Sequence, residues 1–497
     1  MPSWSPENGT VATDMVSAGH RFNRGAAIGA RRSRRGSASC IPCANPRRSF
    51  GNAAALSFVS RLRPASGIAP LFVFVWALVL VRILWRDAPV GDTAALAMAA
   101  LFAIGFVRLR RRALALAAAL AMGALALAAG LGDWAALWAG IGDATTFAAF
   151  FFTLVVLRGT AERRPETART RDLMALLEPR QRLTATLFGA NVMGAVLVVG
   201  AHAILAPVHD REAAEPERVR VAIIALRGMG LAGLWSPFWI AMAVAFQHLP
   251  DVPLWSVMAL GLLLSTGGLV LGQAMAGAPR RGTRDALCAL LPVVPPVAIA
   301  AATVVALASF TPLRPLEALL IGIPLLAAAT QLRLGRRALW EVVRDSYART
   351  PGVLGEMVIV TCAFVLGRVL VSALGVVDAA QWLDLAALPE PAIVAAVIVV
   401  PAALALIGIH QIVTITVLLV LFTQMPTGIA DLVLFQGALM AWSIASMIGL
   451  SAISTIAAAS FFGVRLERVA FGANLVFGGA IAALGTVILS LLNAALV

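Results

Sequence analysis

The chain has no lysine, only four cysteines and only five histidines among 497 residues, and charged side chains make up 13% of it. A soluble globular domain carries about 25% charged residues. The composition therefore excludes one, the more so because 60% of the residues are apolar and the mean hydropathy is +0.89. With lysine absent, all 39 basic residues are arginine, so arginine at any single position carries no information beyond its charge. Cys40 and Cys43 form a lone Cys-x-x-Cys with neither a second pair nor a nearby histidine, and Cys288 and Cys362 lie in apolar segments. A zinc or redox site needs more than that. There is no Walker loop, no His-Glu-x-x-His and no carboxylate cluster for a metal, which removes nucleotide hydrolysis and zinc proteolysis.

What is present is a succession of apolar runs of about twenty residues from about position 66 onward, the length that spans a hydrocarbon core. The formal net charge of +14 would point to nucleic acid in a soluble protein, but here the arginines lie between apolar segments or in the first fifty residues. They read as topology signals and contacts with anionic lipid, and no nucleic-acid partner is expected. Residues 1–60 are polar, rich in Gly, Ser and Arg, and lack the apolar core of a signal peptide. They are predicted to be a disordered basic tail, held in the cytoplasm by Arg31, Arg32, Arg34, Arg35, Arg47 and Arg48.

Four spans follow, ending at about Trp85, Val107, Leu131 and Leu157, with arginine clusters after the second and the fourth. Between the basic segment Arg158 to Arg182 and the next basic cluster, Arg280, Arg281 and Arg284, lie three apolar stretches: Leu183–Pro207, Val221–Phe246 and Leu254–Gly277. Three crossings would place one basic loop outside, against the positive-inside rule. One stretch must then enter and turn back, which lipid tolerates when the non-helical tip is buried in protein or lines a wet cavity. Leu183–Pro207 is assigned that role, with its turn at Gly189-Ala190-Asn191-Val192-Met193-Gly194. Farther on, Ala392–Gln424 is an unbroken apolar run of about 33 residues, about 50 Å as a single helix and too long for one crossing. It is predicted to fold into a second hairpin with Gly408-Ile409-His410-Gln411 at the tip.

The two halves then match by element and are inverted in the membrane. Each has a connector (Arg158–Arg182 or Asp378–Pro391), a hairpin, an interrupted span (Val221–Phe246 or Leu432–Val464) and a closing span. The first interruption is placed at Arg227 to Pro237, where Gly228, Gly230, Gly233 and Pro237 weaken a helix. Its counterpart is placed at Ser443 to Thr455, with hydroxyls around Gly449. Inverted repeats with discontinuous helices mark secondary transporters, whose sites lie where the repeats meet. The expected division is residues 61–182 as scaffold helices and connector, 183–277 as first hairpin, broken helix and closing helix, 278–391 as scaffold and connector again, and 392–497 as the second set. The fold class is thus all-α and polytopic, with about 11 transmembrane helices and two re-entrant hairpins.

Over roughly residues 66–497 this order of elements resembles the ion transporter superfamily, in particular the divalent anion/sodium symporters. The resemblance implies an elevator-type carrier, a homodimer, and a substrate and sodium held between two hairpins and two broken helices. Those symporters carry Ser-Asn-Thr at the tips, whereas here one hairpin offers Asn191 and the other His410 and Gln411.

The expected function is secondary active transport in a bacterial inner membrane, with the N-terminus cytoplasmic and the C-terminus periplasmic. The expected partners are the lipid bilayer and an anionic small molecule, coupled to sodium or protons. A partner-dependent membrane subunit or lipid flippase is the alternative. Asn191, Arg227, Ser236, His410, Gln411, Ser451 and Ser454 are the candidate substrate contacts, and the backbone at Gly228, Gly230, Gly233 and Gly449 the candidate coupling-ion contacts. Intramembrane charges are costly unless paired or wet, which adds Arg368 and Asp143, and His202 and His410 are candidate proton carriers. Gly449-Leu450-Ser451-Ala452 looks like the nucleophile motif of a rhomboid protease, but no histidine follows Ser451. No enzyme activity, metal or other cofactor is therefore expected.

Overall fold

The computed structural model describes residues 67–277, 282–376, 388–425 and 427–497. The predicted tail with Cys40 and Cys43, the arginines Arg280 and Arg281, and most of the connector Asp378–Pro391 lie outside the described residues. Among the described residues every regular element is a helix. Seven helical stretches are long and apolar enough to cross a membrane, and five shorter apolar helices of 10–17 residues accompany them. Leu263 and Val270 on one helix and Val487 and Leu491 on another face outward and are exposed, the pattern of surfaces solvated by lipid. The chain is a multi-pass helical membrane protein.

One group of helices comprises α1 (Ile68–Leu84), α2 (Gly91–Val107), α3 (Arg111–Leu131) and α4 (Trp134–Glu162). It also includes two later helices, α13 (Pro315–Leu334) and α15 (Leu354–Val376), which pack on α4. The α4–α15 contact is close because Gly140 has no side chain: a Cβ there would lie 2.7 Å from the Cα of Val365. Phe147 and Phe364 stack beside it, with ring centroids 4.3 Å apart. Arg368 of α15 meets Asp143 of α4 at 2.9 Å, so the two intramembrane charges neutralise one another across this interface.

The second group is built twice. Following the polar helix α5 (Pro165–Ala175), helix α6 (Pro179–Leu197) turns at Val198 and Val199 into α7 (Gly200–Leu205). Its ends come back together, since Arg182 donates to the carbonyl of Val208 at 3.2 Å and Thr186 lies 2.7 Å from His209 Nε2. Later, α16 (Glu390–Leu406) turns through Ile407–His410 into α17 (Gln411–Gln424). Here Gly408 has φ +92°, a left-handed conformation that favours glycine. Its base is stapled by Asn493, whose amide donates to Glu390 at 2.8 Å and to the carbonyl of Gly428 at 3.0 Å while its oxygen accepts from Ala430 N–H.

Each hairpin is followed by an interrupted helix: α8 (Glu215–Ala232) with α9 (Ile240–His248), and α18 (Asp431–Ile448) with α19 (Ile453–Phe462). Closing helices α10 (Leu254–Met275) and α21 (Ala473–Leu496) complete the two sets. The groups meet where α4 touches α6 and α15 touches α17.

Two expected positions shift. The first hairpin turns at Val198–Val199, not at Gly189–Gly194, and Asn191 lies within a continuous helix. Gly194 serves close packing instead, for a Cβ there would meet Met229 at 2.9 Å. The turn is made at Val198 with φ +49°, a strained choice for a β-branched residue. Likewise Gly228 and Gly230 stay helical, and the first break runs from Gly233 to Trp239. Their absent side chains let α8 lie against α6 and α18: a Cβ on Gly228 would fall 2.0 Å from the carbonyl oxygen of Leu187, and one on Gly230 2.8 Å from Met447.

Two outcomes follow from this packing. Gly228→Ala drives a methyl into backbone that cannot yield, and is expected to cost about 1–3 kcal/mol, read as a fall in the thermal midpoint of purified protein. Gly267→Ala, which meets nothing within 4 Å, leaves the midpoint unchanged. At the base of the first hairpin, outside the spans, burial and then the charge of Arg182 pull the His209 imidazole down from 6.5 to about 4. Between those values the unfolded chain binds a proton that the folded chain refuses, so stability falls as pH drops from about 6.5 to about 4. His209→Gln should flatten that part of the midpoint-versus-pH curve.

Candidate functional site

Breaking a helix inside a membrane frees backbone groups that lipid cannot satisfy, and each break here exchanges hydrogen bonds with the hairpin of its own half. In the first, Ser236 Oγ donates to the carbonyl of Ala195 at 2.6 Å and accepts from Phe238 N–H, while Trp239 Nε1 donates to the carbonyl of Gly194 at 3.0 Å. Those carbonyls belong to the last turn of α6, where intrahelical partners run out. In the second, the N–H of Leu450 donates to the carbonyl of Ala405, again in the last turn of a hairpin arm. The hydroxyls of Ser454 and Thr455 both donate to the carbonyl of Ser446, at 2.7 and 2.9 Å. Gln436 of α18 donates across to the carbonyl of Leu234 in the other break, tying the halves together.

The two hairpin turns and the two breaks open on one cavity of about 90 Å³. Val198 and Val199 come from one turn and His410, Gln411 and Ile412 from the other. Phe238, Trp239 and Ile240 come from the first break, and Trp442, Ser446, Ile453 and Ser454 flank the second. On the side of α4 and α15 the wall is Arg158, Glu356, Ile359 and Val360.

Three helices start at this cavity: α9 with Ile240, α17 with Gln411 and Ile412, and α19 with Ile453 and Ser454. Helix starts present unpaired N–H groups and about half a positive charge each. Arg158 adds a full positive charge. Its Nε, like Gln411 Oε1, is buried without a partner among the described residues. His410 caps α17, its Nδ1 accepting from Ile412 N–H at 3.3 Å. The neutral tautomer compatible with that bond carries its proton on Nε2. This arrangement of donors suits a small anion.

The residues expected from sequence divide into two sets. His410, Gln411 and Ser454 line the cavity, and Gly233 and Gly449 sit at the breaks. Ser451 lies within the second break, its hydroxyl buried and without a partner among the described residues. The other set is occupied by contacts within the fold. Asn191 donates to the carbonyl of Gly228 and to Ser265 Oγ, both at 3.1 Å, and accepts from Trp235 Nε1 at 3.3 Å, which uses up its amide. Arg227 lies against the start of α21, donating to Asn474 Oδ1 at 2.9 Å and to the carbonyl of Ala473 at 2.5 Å, with its guanidinium 4.6 Å above the Phe477 ring. Ser236 is the fastener between break and hairpin described above. His202 is fully buried beside Phe462, its ring nitrogens without a partner among the described residues.

Arg158 and Glu356 do not stand out in the sequence. Arg158 reads there as the first residue of a cytoplasmic basic segment, and Glu356 only as an acid too far from Arg368 to pair with it. Their common signal, a charge just inside the end of an apolar span, also fits a side chain that reaches out to the membrane surface.

No family model matches the chain, and no curated protein matches it. Among solved structures it is similar to the crystal structure of the Alcanivorax borkumensis YdaH transporter, described as having an unusual topology. The identity is 15% over 71% of this chain and 86% of that one, with a TM-score of 0.47.

The contacts predict a separation of effects. Asn191→Ala and Arg227→Lys should each lower the thermal midpoint by the equivalent of about 1–3 kcal/mol, the cost of leaving buried partners unsatisfied, without changing anion affinity. Gln411→Ala should do the reverse. Melting curves and ligand titrations of the three purified variants check this.

Proposed function

We propose that this protein is a secondary active transporter of a bacterial inner membrane that moves a small anion by alternating access, coupled to sodium or protons. The two hairpins, the two broken helices and α10 and α21 are the moving part, and α1–α4, α13 and α15 the frame it slides against. The observation that carries the reading is the convergence of two hairpin turns and two helix breaks on one cavity, with three helix starts and the guanidinium-bearing Arg158 at its wall. Fields of that sign favour an anion over a neutral lipid tail, which supports a carrier above a flippase.

The level of the cavity supports the sliding motion. It meets α4 and α15 beside Arg158 and Glu356, at the end next to the arginine-rich segments. The ion pair of Asp143 and Arg368 lies about 22 Å farther along α4 and about 18 Å farther along α15. With the arginine-rich segments read as cytoplasmic, the hairpin turns stand toward that end of the frame, as they would in an inward-facing carrier.

Purified protein screened by thermal shift against di- and tricarboxylates, sulfonates and inorganic oxyanions, as sodium and as choline salts, tests the reading. At least one anion is expected to raise the midpoint by mass action. A rise confined to sodium salts assigns sodium as the coupling ion, and a rise with either salt that grows at low pH assigns the proton. An absence of response to every anion would remove the carrier reading.

A further inference from the structure

The charged residues around the lower half of α4 and α15 are almost all spoken for. Arg163 contacts Asp345, and Arg349 takes Glu162 at 2.5 Å. Glu162, one helical turn from Arg158 and its natural partner on α4, is thereby engaged elsewhere. Among the described residues, Arg158 and Glu356 make no side-chain hydrogen bond and no ion contact within 4 Å, with each other or with any third group, although both line the same cavity. The pair is held close enough to interact through space, but its hydrogen-bonding capacity is left for something else.

We propose that Arg158 and Glu356 form an exchange element in which Arg158 binds the carboxylate or oxyanion group of the transported solute and Glu356 takes up one proton as it does so. The proposal rests on the transporter reading above and deepens it by naming the binding group and the coupling ion. A half-buried guanidinium offers five donors in a planar fork and suits one bidentate anion. With the cavity unliganded, the opposite charges of Arg158 and Glu356 balance. An entering anion brings an uncompensated negative charge into a medium where charge is expensive. Protonation of the Glu356 carboxylate removes it: hydronium gives its proton to a carboxylate oxygen, an O–H bond forms and water leaves. The bound state then holds one positive and one negative charge again, with the solute in the place of Glu356. One proton accompanies each bound anion, and the unliganded carrier returns with Glu356 ionised against Arg158.

The other groups near Glu356 do not compete for this role. From α4 it faces Arg158, with Glu162 bound to Arg349. The cap of α17 brings His410, whose Nδ1 is engaged by its own helix. At the turn between α2 and α3, Arg108, Arg110 and Arg111 are exposed to solvent. On α15 itself Arg368 is about 18 Å away and paired with Asp143.

The test follows the intrinsic fluorescence of purified full-length protein, since Trp239 and Trp442 line the cavity. The probes are acetate, succinate and sulfate, titrated from about pH 5 to about pH 9 into the wild type and the Glu356→Gln, Arg158→Gln, Arg158→Lys and His410→Asn variants. The wild type should bind at least one probe with an affinity that falls tenfold per pH unit once Glu356 ionises. Glu356→Gln should bind as the protonated carrier does, with that slope gone, and His410→Asn should keep the slope. Arg158→Gln should weaken binding about tenfold to a hundredfold at every pH. If that variant does not fold, Arg158→Lys, which keeps the charge and loses the fork, should show a smaller loss in the same direction. Affinity independent of pH in the wild type, a slope that disappears with His410→Asn instead, or undiminished binding in the Arg158 variants would overturn the exchange while leaving an anion carrier standing. Failure of every probe on every protein would remove both.

Discussion

The structure depends on pairing backbone groups that have no water to turn to. Two hairpins end in mid-protein and two helices stop and restart there, so carbonyl and N–H groups that a through-going helix would satisfy are left open. Each half satisfies its own groups locally: Ser236 and Trp239 reach the last carbonyls of α6, and Leu450 reaches the carbonyl of Ala405. Each break is thus fastened to its own hairpin, and at the cavity between them Arg158 Nε and Gln411 Oε1 are left without a partner among the described residues. The same constraint that shapes the fold thereby concentrates polar capacity at one place.

Charge follows the same logic one level up. Arginines outside the apolar spans set the orientation of the helices, while those inside need a partner. Arg227 finds Asn474, the carbonyl of Ala473 and the face of Phe477; Arg368 finds Asp143. Arg158 has neither a hydrogen bond nor an ion contact among the described residues, and it is the one that faces the meeting point of the two repeats. A half-buried cation with spare donors beside an acid with spare acceptors is a poor stabiliser of a fold, unlike the better-made ion pairs around it.

Much of the architecture is legible in the order of residues along the chain. The overlong run Ala392–Gln424 forces a turn, and Gly408 marks its place, because a left-handed residue has few alternatives to glycine. The break at Gly449 is legible from its matching place in the second half, not from handedness, since its φ is −72°. The first hairpin is legible as a unit but not in its turn: the glycines near Asn191 look like turn residues and are packing residues, while the turn uses a valine that no local rule selects. Gly228 and Gly230 mislead in the same way, since a glycine that lets two helices touch and a glycine that ends one are identical in sequence. Asn191 and Arg227 are recognisable as polar groups needing partners, and whether the partner is solute or protein is not.

By itself, the sequence determined the solvent and the presence of two doubled-back segments, because hydrophobic length and the spacing of the apolar runs are properties of the chain read in order. Only the tertiary structure decided which polar groups are engaged and which are free. That question turns on contacts between residues as far apart as Arg227 and Asn474, or on their absence for Arg158 and Glu356. A side chain's remaining hydrogen-bonding capacity is fixed by its neighbours in space, and nothing in its own position along the chain records them.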